Sequence, residues 1–245
     1  MKLDRVISVR NDKTIYRDGN ESVKVFNDNY SVSDVLNEAL NQSRALEAGI
    51  NAPKILGVTT FDGKWAIVSE YVNGKTVEQL MEENPEKKNE YIELMVSIQL
   101  DIGSKSSPKL RLLKHKMRDQ IRLTELDSVT RYDLHNRIND MTKKSNVCHG
   151  DFCPSNIIVP ENGSPVVIDW AHASSGNTLA DVANTYLLFW MRGDISGAEK
   201  YMELYSGKSG IEKQQILSYM PIVAASRLAK CSEKEREFLL SWVRN

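Results

Sequence analysis

Apolar residues recur at every second position near the start of the chain and at helical spacing over most of the remainder. Arg5–Arg10 alternates weakly, Lys13–Arg17 is a second candidate strand, and Ser22–Phe26 (SVKVF) follows the turn Asp18-Gly19-Asn20. Pro53–Thr59 and Lys64–Val72 add two more strands around Phe61-Asp62-Gly63, a hairpin turn. Between these groups the period lengthens. Over Ser31–Ala48, the residues Val35, Leu36, Ala39, Leu40 and Leu46 make one apolar stripe, which predicts a helix. Ser31 with Asp34 resembles a capping box at its start, and Gly49 can end it in the left-handed region. Glu38 falls off that stripe.

From Thr76 the helical period dominates. Helices are expected over Thr76–Asn84, Lys88–Gly103, Lys105–Arg122, Val129–Met141, Val182–Met191, Ile195–Tyr205, Ile211–Ser226 and Glu233–Val243. Asp181 opens the fifth of these as a candidate cap, and Ala171–Asn177 before it reads as a loop of small residues. Lys105–Arg122 is locally basic; a solvated helical face is the default reading, and a basic patch for a phosphorylated or acidic substrate is the alternative. The fold class is therefore α+β: a small N-terminal antiparallel sheet with one helix over residues 1–72, then a larger, mainly helical part over residues 73–245.

One stretch interrupts the helices. Cys148–Trp170 reads CHGDFCPSNIIVPENGSPVVIDW. The apolar runs Ile157–Val159 and Pro165–Ile168 flank Asn162-Gly163, a pair that readily takes positive φ, so a β-hairpin with a tight turn is expected. An antiparallel hairpin brings its outer ends together, which sets Asn156 beside Asp169, with Asp151 in the loop above them. A carboxylate and an amide are hard oxygen donors of the kind Mg²⁺ takes before filling its remaining positions with water and phosphate oxygens. Asp151 remains as a separate carboxylate. The order His-x-Asp-x-x-x-x-Asn, then Asp after the next strand, is the order of the phosphoryl-transfer loop of kinases.

HGDFxxxN followed by IDW resembles the aminoglycoside phosphotransferase and choline kinase group, small-molecule kinases with a protein-kinase-like two-lobe fold. The resemblance implies Asp151 as catalytic base, Asn156 and Asp169 as metal ligands, and ATP or GTP as phosphate donor with Mg²⁺. It implies further that Lys24, set between Val23 and Val25, grips the nucleotide phosphates and that Glu38 steadies it. Ser69 C=O and Tyr71 N–H would meet the adenine edge. The tripeptide Asp169-Trp170-Ala171 differs from the Asp-Phe-Gly of protein kinases. Asp181 could anchor the catalytic loop as well as cap its helix. No glycine stands in Val9–Lys13, where a phosphate-covering loop is expected; Arg10 and Lys13 can supply charge there, and surface placement explains them equally well.

Composition narrows the classes. Net charge is −1, with 41% hydrophobic and 27% charged residues, so nothing global points to nucleic acid or to a membrane surface. The longest apolar stretch, Tyr186–Met191, is too short for a membrane span, and MKLDRVISVR has no apolar signal core. Three cysteines argue against a disulfide framework and for a cytoplasmic protein. The partner expected is a small hydroxylated acceptor (aminoglycoside, amino alcohol or sugar-like); oligomeric state is not legible. Two other classes remain open at this point. One is a kinase-shaped nucleotide-binding module without turnover. The other is a metal-dependent hydrolase built on His149-x-Asp151 and Asp169-x-x-His172. Trp170, His172, Tyr186 and Trp190 are possible acceptor-lining residues, although aromatics at such spacing are more often core.

Overall fold

A computed structural model of the chain describes residues 5–9 and 12–244. In chain order, strands β1 (Arg5–Val9), β2 (Lys13–Asp18) and β3 (Glu21–Phe26) lead into helix α1 (Val32–Glu47). Strands β4 (Ile55–Phe61), β5 (Lys64–Glu70) and β6 (Gly74–Thr76) precede α2 (Val77–Glu83). Helices α3 (Lys88–Ser104), α4 (Leu113–Arg122) and α5 (Ser128–Asp140) follow. Short strands β7 (Asn146–Cys148), β8 (Ile157–Pro160), β9 (Val166–Val167) and β10 (Ser174–Gly176) come next. The chain closes with α6 (Thr178–Met191), α7 (Ile195–Ser209), α8 (Lys213–Leu217), α9 (Met220–Leu228) and α10 (Glu233–Val243). The class is mixed α+β, with the antiparallel sheet first and the helices after it. Arg10, at the end of the first expected strand, lies outside the described residues.

By internal contacts the chain forms two compact units, Met1–Glu83 with Pro154–Ala173, and Asn84–Cys153 with Ser174–Asn245. This division places β6, α2 and the hairpin with the N-terminal sheet.

In the first unit the sheet is antiparallel throughout, in the order β1-β2-β3-β5-β4. Alternation along its central strands makes two apolar faces. Val23, Val25, Ala66 and Val68 pack on one; Phe26 and Ile67 pack with Val35 and Ala39 of α1 on the other. Lys24 therefore points to the side of the sheet that α1 covers. The buried face of α1 departs from the expected stripe. It comprises Val35, Glu38, Ala39, Asn41, Gln42 and Ala45, while Leu36 and Leu40 are 49% and 46% exposed. The polar members are bonded: Gln42 Nε2 donates to Pro53 O at 2.8 Å, and Asn41 Nδ2 to Ala171 O at 3.4 Å.

The hairpin forms, with Ile157 opposite Val167 and Ile158 opposite Val166. Its turn is wider than the two-residue connection expected, because Pro165 brings no N–H to extend the ladder. Val159 and Pro160 pair instead with Lys75 and Gly74 of β6. A Cβ at Gly74 would stand 2.5 Å from Val159 O, so this close approach requires glycine. Asn51 seats the hairpin, accepting from Val167 N at 2.9 Å through its carbonyl and donating from Nδ2 to Pro165 O at 2.8 Å.

In the second unit α3 packs on α7, α6 on α7 and α9, and α9 on α4 and α10. Three expectations change here. Only Leu113–Arg122 of the basic segment is helical; Ser106 bridges Asn146 and Leu112 bridges Ser175 on either side of a turn, where Pro108 disfavours a helix. Ile211–Ser226 is split into α8 and α9, with Pro221 in the first turn of α9. The small-residue loop contains β10, paired with β7. Among the described residues no helix is long and apolar enough to cross a membrane.

Candidate active site

Four charged side chains meet in the first unit. Lys24 Nζ is hydrogen-bonded to Glu38 Oε1 and lies 3.2 Å from Asp169 Oδ1. Glu38 comes from the buried face of α1 and is 2% exposed. Lys13, at the start of β2, reaches the same carboxylate, with Nζ 3.3 Å from Asp169 Oδ1 and 3.2 Å from Oδ2. Burial works against the Lys24 charge, but the carboxylates of Asp169 and Glu38 outweigh it and hold the ammonium above its ordinary value. Two cations and two anions thus balance in a nearly dry cluster. Of these, the resemblance implies Lys24 and Glu38 as the phosphate grip and Asp169 as a metal ligand. Lys13 is the addition: its residue type and position suggested charge, but nothing local distinguished it from a surface lysine.

Asp169 stands at the outer end of the hairpin in the left-handed conformation, φ 65°, which among residues with a Cβ is best tolerated by Asn and Asp. A single 3₁₀ turn, Trp170–His172, follows it. Ile168 N donates to Asn156 O at 2.9 Å, so the two hairpin ends are hydrogen-bonded neighbours. Asn156 and Asp169 both line a cavity of about 530 Å³, together with Lys24, Glu38, Ser69 and Tyr71. A carboxylate and an amide oxygen source at the wall of a cavity that also carries a lysine fit Mg²⁺ with a polyphosphate. The adenine expectation needs one correction. The Tyr71 N–H donates to Asn20 O at 2.8 Å and is not open to a base; successive N–H groups of an extended chain alternate in direction. The Arg17 guanidinium lies over the Tyr71 ring, 4.2 Å from its centroid.

In the second unit Asp151 sits on a loop braced from α6. The Asp181 carboxylate accepts from His149 N at 3.0 Å and Gly150 N at 2.7 Å, and Asn184 Nδ2 donates to Gly150 O at 3.1 Å. Asp181 and Asn184 are one helical turn apart, so one face of α6 holds the loop. Asn177, not Asp181, caps that helix, accepting from Leu179 N at 3.0 Å. Gly150 has φ 81°, which its position in the sharp turn requires. The Asp151 side chain itself is 26% exposed, facing Arg227 Nη2 at 3.8 Å. Replacing Asp181 with Ala is expected to destabilise the protein by about 3 kcal/mol, because two buried loop N–H groups lose a charged acceptor. Urea unfolding at pH 7 measures this, and a loss under about 1 kcal/mol would show that the loop holds itself.

His149 is fully buried, and its Nδ1 accepts from Asp151 N at 3.2 Å, so that nitrogen is committed to the backbone. His172 is exposed, whereas Trp170 is fully buried with Nε1 donating to Val167 O. Tyr186 and Trp190 join Phe238 and Trp242 in a cluster whose rings lie 6.2 to 6.5 Å apart. Trp190 and Phe238 stack, and the other pairs meet edge to face. The thiols Cys148 and Cys153 are buried, and burial raises Cys148 well above the ordinary thiol value.

A family model described as the phosphotransferase enzyme family matches residues 8–214. No curated protein sequence matches the chain. Among solved structures it is similar to aminoglycoside phosphotransferase APH(4)-Ia, in a ternary complex with AMP-PNP and hygromycin B, at TM-score 0.69 and 16% identity over 98% of this chain and 90% of that one. Choline kinase LicA from Streptococcus pneumoniae gives 0.64 and 15%, covering 99% and 95%. Aminoglycoside phosphotransferase APH(3'')-Id from Streptomyces rimosus, with ADP and streptomycin, gives 0.64 and 15%, covering 93% of each chain. At such identities the likeness establishes a shared fold.

Proposed function

The chain belongs to the phosphotransferase enzyme family, and we propose that it moves the γ-phosphate of ATP, or of GTP, to a hydroxyl of a small molecule. The observation that carries this is Lys24, held between Glu38 and Asp169 beside a cavity large enough for a nucleotide. In this reading residues 1–72 grip the nucleotide and residues 73–245 supply the base and the acceptor site. Lys24, steadied by Glu38, takes the phosphates. The purine lies along Ser69 and Tyr71, with the base edge meeting a neighbour of Tyr71 whose N–H points away from Asn20. Asn156 and Asp169 would hold Mg²⁺, which supplies neutralising charge to the phosphates when bound.

Asp151 orients the acceptor hydroxyl and takes its proton late in the transfer. The acceptor oxygen forms its bond to the γ-phosphorus as the bond to the bridging oxygen breaks, and ADP leaves with that electron pair. Placement and electrostatics carry most of the barrier lowering. Three free cysteines are consistent with a cytoplasmic enzyme.

The test is an ATP-consumption screen with magnesium across aminoglycosides, amino alcohols, sugars and nucleosides. At least one hydroxylated compound is expected to stimulate ADP release. Nucleotide binding with no turnover on any class would favour the kinase-shaped binding module instead. The hydrolase reading has no comparable support, since the buried His149 spends Nδ1 on the backbone.

A further inference from the structure

The surroundings of Asp151 in the second unit are basic. The Arg227 guanidinium, on the last turn of α9, lies 3.8 Å from Asp151 Oδ1, beyond hydrogen-bond range, and both side chains keep about a quarter of their surface in solvent, 27% and 26%. The pair opens outward; it does not close a buried bridge. Its position is fixed all the same. Arg227 Nη1 donates to Asn184 Oδ1 at 2.8 Å, and Asn184 donates to Gly150 O at 3.1 Å, so one asparagine braces both the arginine and the loop that carries Asp151. Lys116 of α4 brings a second cation within electrostatic reach of Asp151 and Arg227; burial draws it down to about 8.

Several carboxylates of the second unit are matched. Glu199 is paired with Lys213 and the Tyr186 hydroxyl, Glu203 with Lys200, Glu93 with Lys208, and Glu125 with Arg236. A cationic acceptor would meet the like charge of Arg227 beside Asp151.

We propose that the acceptor is an alcohol bearing an anionic group, a carboxylate or a phosphate ester, which Arg227 binds while Asp151 faces the hydroxyl. This rests on the phosphotransferase reading and on Asp151 as base. A guanidinium has five donors in a planar fork and suits an oxyanion. With no anion present, Arg227 and the incoming hydroxyl compete for the Asp151 carboxylate. An anionic acceptor draws the guanidinium to itself and leaves the carboxylate to the hydroxyl. Arg227 would thus select substrate and release the base by the same movement.

The test measures magnesium-dependent ADP release on two matched scaffolds: glycerate, glycerol 3-phosphate, glycerol and 2-amino-1,3-propanediol; and gluconate, glucose 6-phosphate, glucose and glucosamine. Choline and hygromycin B serve as cationic probes. An anionic member is expected to exceed its neutral and amino counterparts in kcat/KM by at least about tenfold, and the carboxylate and phosphate arms identify the group. Arg227→Gln should raise KM for that acceptor about tenfold or more with kcat within about threefold, and Arg227→Lys should recover part of the loss. Thermal unfolding of both variants separates this from misfolding, and the lysine variant decides if the glutamine variant fails to fold. The proposal is overturned if a cationic probe is the best acceptor or if Arg227→Gln affects anionic and neutral acceptors alike. It is also overturned if magnesium-dependent ATP hydrolysis is present and no anionic member alters it. Absence of any magnesium-dependent nucleotide binding or turnover defeats the phosphotransferase reading itself, and this proposal with it.

Discussion

Asp151→Asn is expected to lower kcat by about 10²–10⁴ while leaving ADP affinity within about threefold. The substitution keeps the shape of the side chain and removes its charge and its ability to accept a proton. The loop has holds other than that carboxylate. Its backbone is held by Asp181 and Asn184, and the turn is made by Gly150. The ion pair to Arg227 at 3.8 Å is partly exposed and worth about 0–1 kcal/mol. Stability should therefore stay near that of the parent protein, and a fall in rate reports on chemistry. A coupled ADP-release assay at saturating acceptor, with calorimetric titration of ADP, makes the measurement. Turnover within about tenfold of the parent removes Asp151 from the role of base.

What the chain reveals before folding depends on how local the cause is. The placement of Asp151, Asn156 and Asp169 on the hairpin loop and ends is legible from the strands and turn that flank them, whereas the role expected of Lys24 comes from the resemblance. Glu38 is legible only through the resemblance. The apolar stripe of α1 points to Leu36 and Leu40, yet those side chains are half-exposed and Glu38, Asn41 and Gln42 face inward. A helix that covers a polar site inverts the usual sorting, since its buried groups find partners in Lys24, Ala171 O and Pro53 O. Lys13, Asn184 and Arg227 are long-range partners separated from Asp169, Gly150 and Asp151 by 156, 34 and 76 positions, and no periodicity encodes such pairings. The Tyr71 N–H is not legible for a different reason. Which N–H after β5 is open depends on the turn before β3, where Asn20 O accepts from Tyr71 N.

Lys24→Met should uncouple stability from catalysis in a way that identifies what the lysine does. Methionine keeps the length of the side chain and removes the charge. Glu38 is then left 98% buried with no cation beside it, and its Oε2 has no hydrogen-bond partner among the described residues even in the parent. Breaking a buried pair from one side costs about 3–5 kcal/mol. The cost should depend on pH. Burial without a cation raises the carboxyl of Glu38 above its unfolded value, so the deficit is absent below about pH 4 and complete once pH passes the raised value. The lysine itself adds no slope over that range, because held above its ordinary value it keeps its contribution until pH exceeds about 10. Lys24→Met combined with Glu38→Gln removes both charges and should recover most of the lost stability without recovering function. In both variants the KM for ATP should rise at least about tenfold and kcat should fall, since Lys13 alone remains near Asp169. Urea unfolding at pH 5 and pH 8, beside the steady-state kinetics, reads the two effects separately. If the double variant regains activity together with stability, Lys24 only balances Glu38 and the phosphates are held elsewhere. If stability returns and activity does not, the ion pair exists to place a cation where a polyphosphate binds.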